Sequence, residues 1–380
     1  MLASRTYGGI QDKAQGFKAI LVKKMKRRFV NPFIFLMFFN LSQSAGADEK
    51  PKNYAVAPIL VSNPAIGNGI GVTGMYFFDI GKSNPKGPRS LIQPLAAYTD
   101  TQSYFGGLLS SLYLRDDHIR STFGLFGAKV NNEYRDPRPG RSDAKFAAHL
   151  GAFYAQMQFR VKAHLFLGGQ FRLVNTRFSP EDEASRDYLE FVGAEDKTNA
   201  GVGPVLTYDT RDNIHSPRSG TLTAVRAFSM FKGLGSEETY HTIEGEFNRY
   251  QQLVPGHVFA LRAYGRTGTS NTPYSDKSRL GMRSDLRGFK SGEIIGLTLA
   301  DVQAEYRCQF RPRWGVVVFG GIAKLWDDDT REIIREDYYY SGGVGLRFMI
   351  NTKERINFRV DFAIGNGDNQ GFYMGIREAF

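Results

Sequence analysis

Between Arg355 and Ile364 the chain alternates without a slip. Ile356, Phe358, Val360, Phe362 and Ile364 fall on one face, with Arg355, Asn357, Arg359, Asp361 and Ala363 on the other. A side-chain period of two is the signature of a β-strand. The final residues repeat it: Phe372, Met374, Ile376, Glu378 and Phe380 oppose Gly371, Tyr373, Gly375, Arg377 and Ala379. Further back, Ala300, Val302, Ala304, Tyr306, Cys308 and Phe310 share a face, and Asp301, Gln303, Glu305, Arg307, Gln309 and Arg311 share the other. Six polar residues on one side of a strand do not fit a dry core. Facing a water-filled lumen they cost little. Alternation sustained over most of a chain fits strands with lipid outside and a polar lumen inside.

The same reading gives about sixteen segments, near 54–61, 67–79, 89–99, 102–115, 117–131, 143–160, 162–176, 198–209, 218–232, 238–252, 256–270, 297–311, 314–327, 337–351, 354–366 and 371–380. The expected fold class is all-β: a sixteen-stranded antiparallel transmembrane β-barrel, its strand count even as in bacterial single-chain barrels. No helical 3.6-residue pattern lasts beyond a turn or two. Connection lengths alternate as well. Asp116-Asp117, Arg311 to Arg313 and Asn351 to Glu354 are short, whereas 132–142, 177–197, 271–296 and 328–336 are long. With the first strand running outward, every one of these long connections lands outside, as barrels of this kind require. Residues 80–88 and 62–66 break the rule, the first long for an inner turn and the second short for an outer loop.

The N-terminus reads as an export leader. Lys23, Lys24, Lys26, Arg27 and Arg28 form a basic region, Phe33 to Phe39 an apolar run, and Ala45-Gly46-Ala47 a small-residue cleavage site. The run is too short for a transmembrane helix, which needs about 20 residues. Expected are a leader with a secretory signal peptide over 1–47, Met25 being an alternative start, and an outer-membrane β-barrel domain over 48–380. Residues 1–47 carry eight Lys/Arg and one Asp, so +7 of the net +11 belongs to the leader. The remaining +4 gives little support for nucleic-acid binding. The single cysteine, Cys308, excludes an internal disulfide and a Cys-ligated metal site. The six His residues show no ligand spacing. No catalytic set, metal site or cofactor is expected, and the chain does not read as an enzyme.

Two stretches carry candidate chemistry. The longest connection contains Asp285-Leu286-Arg287-Gly288-Phe289, where a cation and an aromatic flank a glycine. Such a tip can fold back into a polar lumen and pair with a carboxylate; an exposed loop arginine is the other reading. Asp209, Arg211 and Asp212, followed by Pro217 and Gly220, form a tight charged turn with a structural role.

Together these pieces resemble the BamA/TamA outer-membrane assembly family, the bacterial surface antigen barrels. The Arg287-Gly288-Phe289 tip precedes strand twelve as in that family. Tyr208 to Asn213 with Pro217 and Gly220 resembles its inward turn, Glu305-Tyr306-Arg307 its strand-twelve signature, and Phe319 to Asp327 its strand thirteen. The resemblance covers roughly 200–380. It implies a long loop folded into the lumen, with Arg287 paired to Asp327, or to Asp328 if the register slips by one. It makes Phe380 a C-terminal signal read by the barrel assembly machinery. Glu378 departs from the signal, because that lipid-side position is often apolar.

The implied place is the bacterial outer membrane, among its lipids. The implied role is outer-membrane protein assembly or translocation, with unfolded barrel proteins as clients or a separate periplasmic partner. Strand one starts about six residues after the expected cleavage site, leaving no room for the family's periplasmic POTRA domains. A seam between the first and last strands is expected to be weak, with Asn63-Pro64 beside it and Gly67, Gly69 and Gly71 opening the next strand. The alternative function is a porin-like channel or structural surface barrel without insertase activity.

Overall fold

The structure is a computed structural model that describes residues 53–63, 67–81, 87–281, 286–289, 294–327 and 337–380. The expected leader, its cleavage site, Asp285 and Asp328 lie outside the described residues. Sixteen strands make the barrel: β1 (Tyr54–Asn63), β2 (Gly67–Phe78), β3 (Ser90–Thr99), β4 (Tyr104–Leu114), β5 (Ile119–Tyr134), β6 (Ala144–Lys162), β7 (Leu165–Pro180), β8 (Lys197–Asp209), β9 (Gly220–Met230), β10 (Tyr240–Val254), β11 (His257–Gly268), β12 (Thr298–Gln309), β13 (Trp314–Trp326), β14 (Tyr339–Asn351), β15 (Ile356–Gly365) and β16 (Gln370–Ile376). Each pairs antiparallel with its sequence neighbours, and β1 meets β16 to close the ring. All sixteen expected strands are present, most within two or three residues of their expected ends.

Alternation sets which face each residue takes. In β12, Asp301, Gln303, Glu305 and Arg307 are only 1–7% exposed, while Val302 and Tyr306 are 47% and 42% exposed. The polar residues point inward and the apolar ones outward. An apolar outer face is stable only against lipid, and a closed ring is the sheet form that leaves no unpaired edge in a bilayer.

Closure is uneven. β1 meets β2 over ten register pairs, Tyr54↔Tyr76 to Asn63↔Gly67. It meets β16 over two, Val61↔Tyr373 and Ser62↔Phe372.

Two expectations are corrected. Residues 177–197 are not one open connection. β7 runs to Pro180, and a short helix, α1 (Glu183–Phe191), follows. Asp182 caps it, its carboxylate accepting the Ser185 N–H at 2.7 Å. Ser185 Oγ in turn accepts the Lys145 N–H of β6 at 2.8 Å. Tyr188 and Leu189 pack with Tyr134 and Phe146, so the helix covers the long ends of β5 and β6. At nine residues its periodicity is too brief to read against the strands around it.

The last strand also stops early, at Ile376. Arg377 takes φ +75° and turns the chain out of the ladder. Glu378 then lies inside rather than on the lipid side, its carboxylate accepting Arg347 Nε at 2.8 Å and Asn357 Nδ2 at 2.7 Å. Two donors inside outweigh a left-handed residue, which costs of order 1–2 kcal/mol.

A lysine placed at Val302, near the middle of β12 on its outer face, tests the membrane setting. Val302→Lys is expected to lower folding stability in lipid vesicles by about 2–4 kcal/mol, measured by denaturant titration; an unchanged midpoint would mean that this face does not meet hydrocarbon.

Candidate functional site: the loop tip and the base of the lumen

The connection from β11 to β12 is anchored at two levels. Near its start, Asp276 accepts Arg172 Nη2 of β7 at 2.5 Å, Arg266 Nη2 of β11 at 3.0 Å and the Tyr240 hydroxyl of β10 at 3.0 Å. Residues 278–279 and 295–296 then pair as a short antiparallel ladder that narrows the connection.

Beyond it lies the tip. Leu286 and Phe289 are fully buried, packed with Leu280, Ile294, Leu299, Leu325 and Tyr339. Between them Gly288 holds φ +114°, and a Cβ there would stand 3.0 Å from the Gly365 backbone nitrogen. Only glycine suits both conditions. The Gly288 N–H donates to the Tyr373 hydroxyl of β16 at 2.8 Å.

This places Arg287 among charges. Its Nη1 donates to Asp361 Oδ2 of β15 at 2.6 Å, and its Nη2 to Glu305 Oε1 of β12. Its guanidinium carbon lies 3.5 Å from the centre of the Phe319 ring of β13. The network extends on both sides. Arg307 pairs with Glu305 at 2.8 Å, and Arg347 with Asp361 at 2.5 Å. Arg347 also reaches Glu378, and Arg307 donates to the Phe380 carbonyl at 2.8 Å. Arg287, Gly288 and Phe289 therefore meet inward-facing residues of five strands, β12 to β16.

Asp327 is not the partner of Arg287. It accepts Lys277 Nζ of the same connection at 3.0 Å. Phe319, under the arginine, pairs in register with Glu305. Asp327 is eight residues further on, just past the end of β13, roughly 25 Å at a strand's rise. The tip descends past Asp327 and stops at the carboxylates below it. Asp361 was not singled out in the sequence, although it lies on the polar face of β15. Parity shows that a residue faces inward, not how deep a loop reaches.

The other end of the lumen is crossed by the turn from β8 to β9. Asp209 accepts Arg211 Nε at 2.9 Å and Arg120 Nη1 of β5 at 2.8 Å. Arg120 continues to Asp117 at 2.7 Å, and Asp117 to Arg160 of β6 at 2.8 Å. Asp212 ties the turn to itself through the Arg218 and Ser219 N–H groups, and to the β14–β15 turn through Arg355 at 2.5 Å. Gly220, at φ +101°, reverses the chain where a Cβ would strike the Thr210 carbonyl at 2.2 Å. Pro217 is buried within the turn. His215 packs edge-on to Phe77 of β2 at 5.6 Å, and Ser216 accepts Asn357 Nδ2 of β15 at 3.4 Å. The turn thus spans the base of the barrel from β2 to β15.

Burial and charge set the protonation of this turn at ordinary pH. Burial pushes the His215 imidazole down to about 3, and Arg377 and Arg211 add to the effect, so it stays neutral. Burial alone would raise the Asp212 carboxyl. The Arg355 guanidinium and the Ser219 and Arg218 N–H groups outweigh it and hold the group below the usual carboxylate range.

The barrel has known relatives. Residues 98–380 match the Omp85 superfamily domain. The chain belongs to the Omp85 superfamily. It is 24% identical over 311 residues to the outer membrane protein assembly factor BamA of Nitratidesulfovibrio vulgaris, a match covering 73% of this chain and 38% of that protein. The chain therefore spans well under half the length of that relative.

Two solved structures show the same fold. The crystal structure of BamA from Haemophilus ducreyi lacking POTRA domains 1–3 aligns with TM-score 0.54 at 13% identity, covering 87% of this chain and 70% of that one. CdiB from Acinetobacter baumannii aligns with TM-score 0.57 at 11% identity, covering 85% and 59%. The Omp85 barrel belongs to the bacterial outer membrane, in a family of non-enzymatic assembly and transport proteins.

Two outcomes check the site. Arg287→Ala leaves each carboxylate a second arginine, so the barrel folds. Loss of the buried bridge costs the docked tip about 3 kcal/mol, or about a hundredfold in open population, read as faster proteolysis within 269–297; unchanged cleavage would count against a locked tip. At the base, the depressed Asp212 pKa means that its pairing contributes fully above about pH 4, the ordinary carboxylate value, and is lost as pH falls through the lower folded value. Hydrogen-exchange protection in the 210–219 turn, taken relative to the intrinsic rate at each pH, should be flat from neutral pH down to about 4 and fall below it. In Asp212→Asn the protection should be low throughout.

Proposed function

We propose that this Omp85 barrel works in outer-membrane protein assembly or translocation, with the β1–β16 seam as its working part. The observation that carries the reading is the closure by two register pairs where β1 and β2 share ten. A strand held by so few ladder bonds separates at low cost, and its freed edge pairs with an incoming strand. The client is then an unfolded barrel protein, and the surrounding lipid is the medium into which it passes. A separate periplasmic partner would deliver it. Phe380 serves the chain's own insertion, as the residue read by the barrel assembly machinery.

Arg287, Gly288, Phe289 and the turn carrying Asp209, Arg211, Asp212, Pro217 and Gly220 hold the rest of the wall rigid, so that movement concentrates at the seam. Asp327 adds a second tie on the loop through Lys277. A lumen crossed by the tip and by the base turn supports this reading over an open channel.

The test is folding of an urea-unfolded barrel protein into vesicles with and without the purified chain. Acceleration by the chain, its loss in Ser62→Cys/Phe372→Cys when the seam disulfide is formed, and its return on reduction are expected. Acceleration that persists in the oxidised form would rule out a moving seam, and no acceleration by the unmodified chain would rule out the assembly role.

A further inference from the structure

The outer face of the barrel is apolar over most of its height, with a basic exception on β5, β6 and β7. Register places Lys129 opposite His149, and His149 opposite Arg177. All three share strand parity with Leu125, Phe153 and Leu173, which are 62%, 38% and 37% exposed on the outer face. Among the described residues none of the three side chains has a hydrogen-bond or ion-pair partner. Other cations nearby are paired: Lys145 with Glu133 at 3.6 Å, Arg138 with Asp136 at 2.7 Å, and Lys197 with Glu238 at 2.5 Å. The nearby carboxylate of Asp196 accepts the Phe178 N–H at 2.7 Å.

The height of this row is fixed by its neighbours. Tyr104 lies opposite Lys129, and Tyr98 opposite Tyr104, both outward at 52% and 56% exposure. Outward tyrosines mark the membrane–water boundary of a barrel. On the other side of the row the outer face is apolar, from Leu125, Phe153 and Leu173 to Ile119, Phe159 and Leu167. From 119 to 129 is about 34 Å along a strand, or roughly 26 Å of height at a tilt near 40°, which matches the apolar band of about 25 Å. The three basic side chains therefore stand at the rim of the hydrocarbon, on the end where the long connections emerge.

We infer that Lys129, His149 and Arg177 bind the phosphate of a phosphorylated lipid in the outer leaflet. The three span neighbouring strands, about 10 Å in all, so one headgroup meets them together. Lys and Arg lay their aliphatic stems along the sheet and present the charge at the interface. The acyl chains of the same molecule cover the apolar rows on the membrane side, a complementarity that a soluble anion lacks. The nearby carboxylates are already engaged, Glu133 with Lys145 and Asp196 with the Phe178 N–H. The inference rests on the membrane setting of the barrel and not on its proposed role in assembly.

The test uses the full chain folded in phosphatidylethanolamine vesicles carrying either phosphorylated lipid A or its dephosphorylated form. After detergent extraction, lipid A retained per barrel is counted by native mass spectrometry. Retention of the phosphorylated form alone is expected, falling about fivefold for each Lys or Arg removed in Lys129→Gln and Arg177→Gln, and further in the triple variant with His149→Gln. Heat-modifiable mobility reports folding, and Lys145→Gln, a paired lysine, should retain as the unmodified chain does. If the triple variant does not fold, Arg177→Gln alone decides. Equal retention of the dephosphorylated lipid, or retention unmoved by these substitutions, would overturn the proposal.

Discussion

The bridge from Arg287 to Glu305 and Asp361 is the interaction on which the interior depends. A barrel wall of this kind must turn polar residues inward, and once a loop enters the lumen those residues lose water. A carboxylate removed from water without a partner costs several kcal/mol. Glu305 and Asp361 are each met by two or more arginines: Arg287 and Arg307 on one, Arg287, Arg347 and Arg359 on the other. Arg287 is the member that comes from the loop and serves both. It joins β12 to β15 across two intervening strands, and the Phe319 ring beneath it comes from one of those strands. The Gly288 bond to Tyr373 extends the same tie to β16. A charge network made this way does not add much net stability over an apolar core. It specifies one position for the tip, because no other depth offers both carboxylates and the ring.

The wall of the barrel was legible in the sequence because lipid outside and polar groups inside impose a period of two on every strand. The described interior was legible only in part. Arg287, Gly288 and Phe289 stood out as a cation and an aromatic around a glycine, and the structure buries all three. Their partners did not stand out, because parity assigns a face and not a height. Asp327 and Asp361 are both inward acids, separated by the distance the loop descends. Glu378 shows the complementary limit. Its parity put it in lipid, but a residue pays no regard to parity once the ladder ends, and Arg377 ends it. The helix over 183–191 lies above the membrane, where the alternation that guided the strands no longer applies.

The lower part of the β1–β16 seam follows from that same departure of the chain at Arg377. A strand that leaves the ladder inward at Arg377 offers nothing to Tyr54 to Ala57, and Pro58 to Leu60, opposite Ile376 to Met374 by the same register, form no pairs either. Unbonded backbone is costly in hydrocarbon, and β1 is held by other means. Ala55 packs with Met75, Phe77 and Leu91 of β2 and β3, against Ile356, Ile350 and Ile376. Arg89 reaches Glu354 in the β14–β15 turn at 3.1 Å, and Asn351 Nδ2 donates to the Tyr54 carbonyl at 3.4 Å. Apolar packing is non-directional: it tolerates sliding that a hydrogen-bond ladder does not. Glu378, held inside by Arg347 and Asn357, thus keeps the last residues out of the ladder and leaves Tyr54 to Ala57 attached on that side by packing rather than by register pairs.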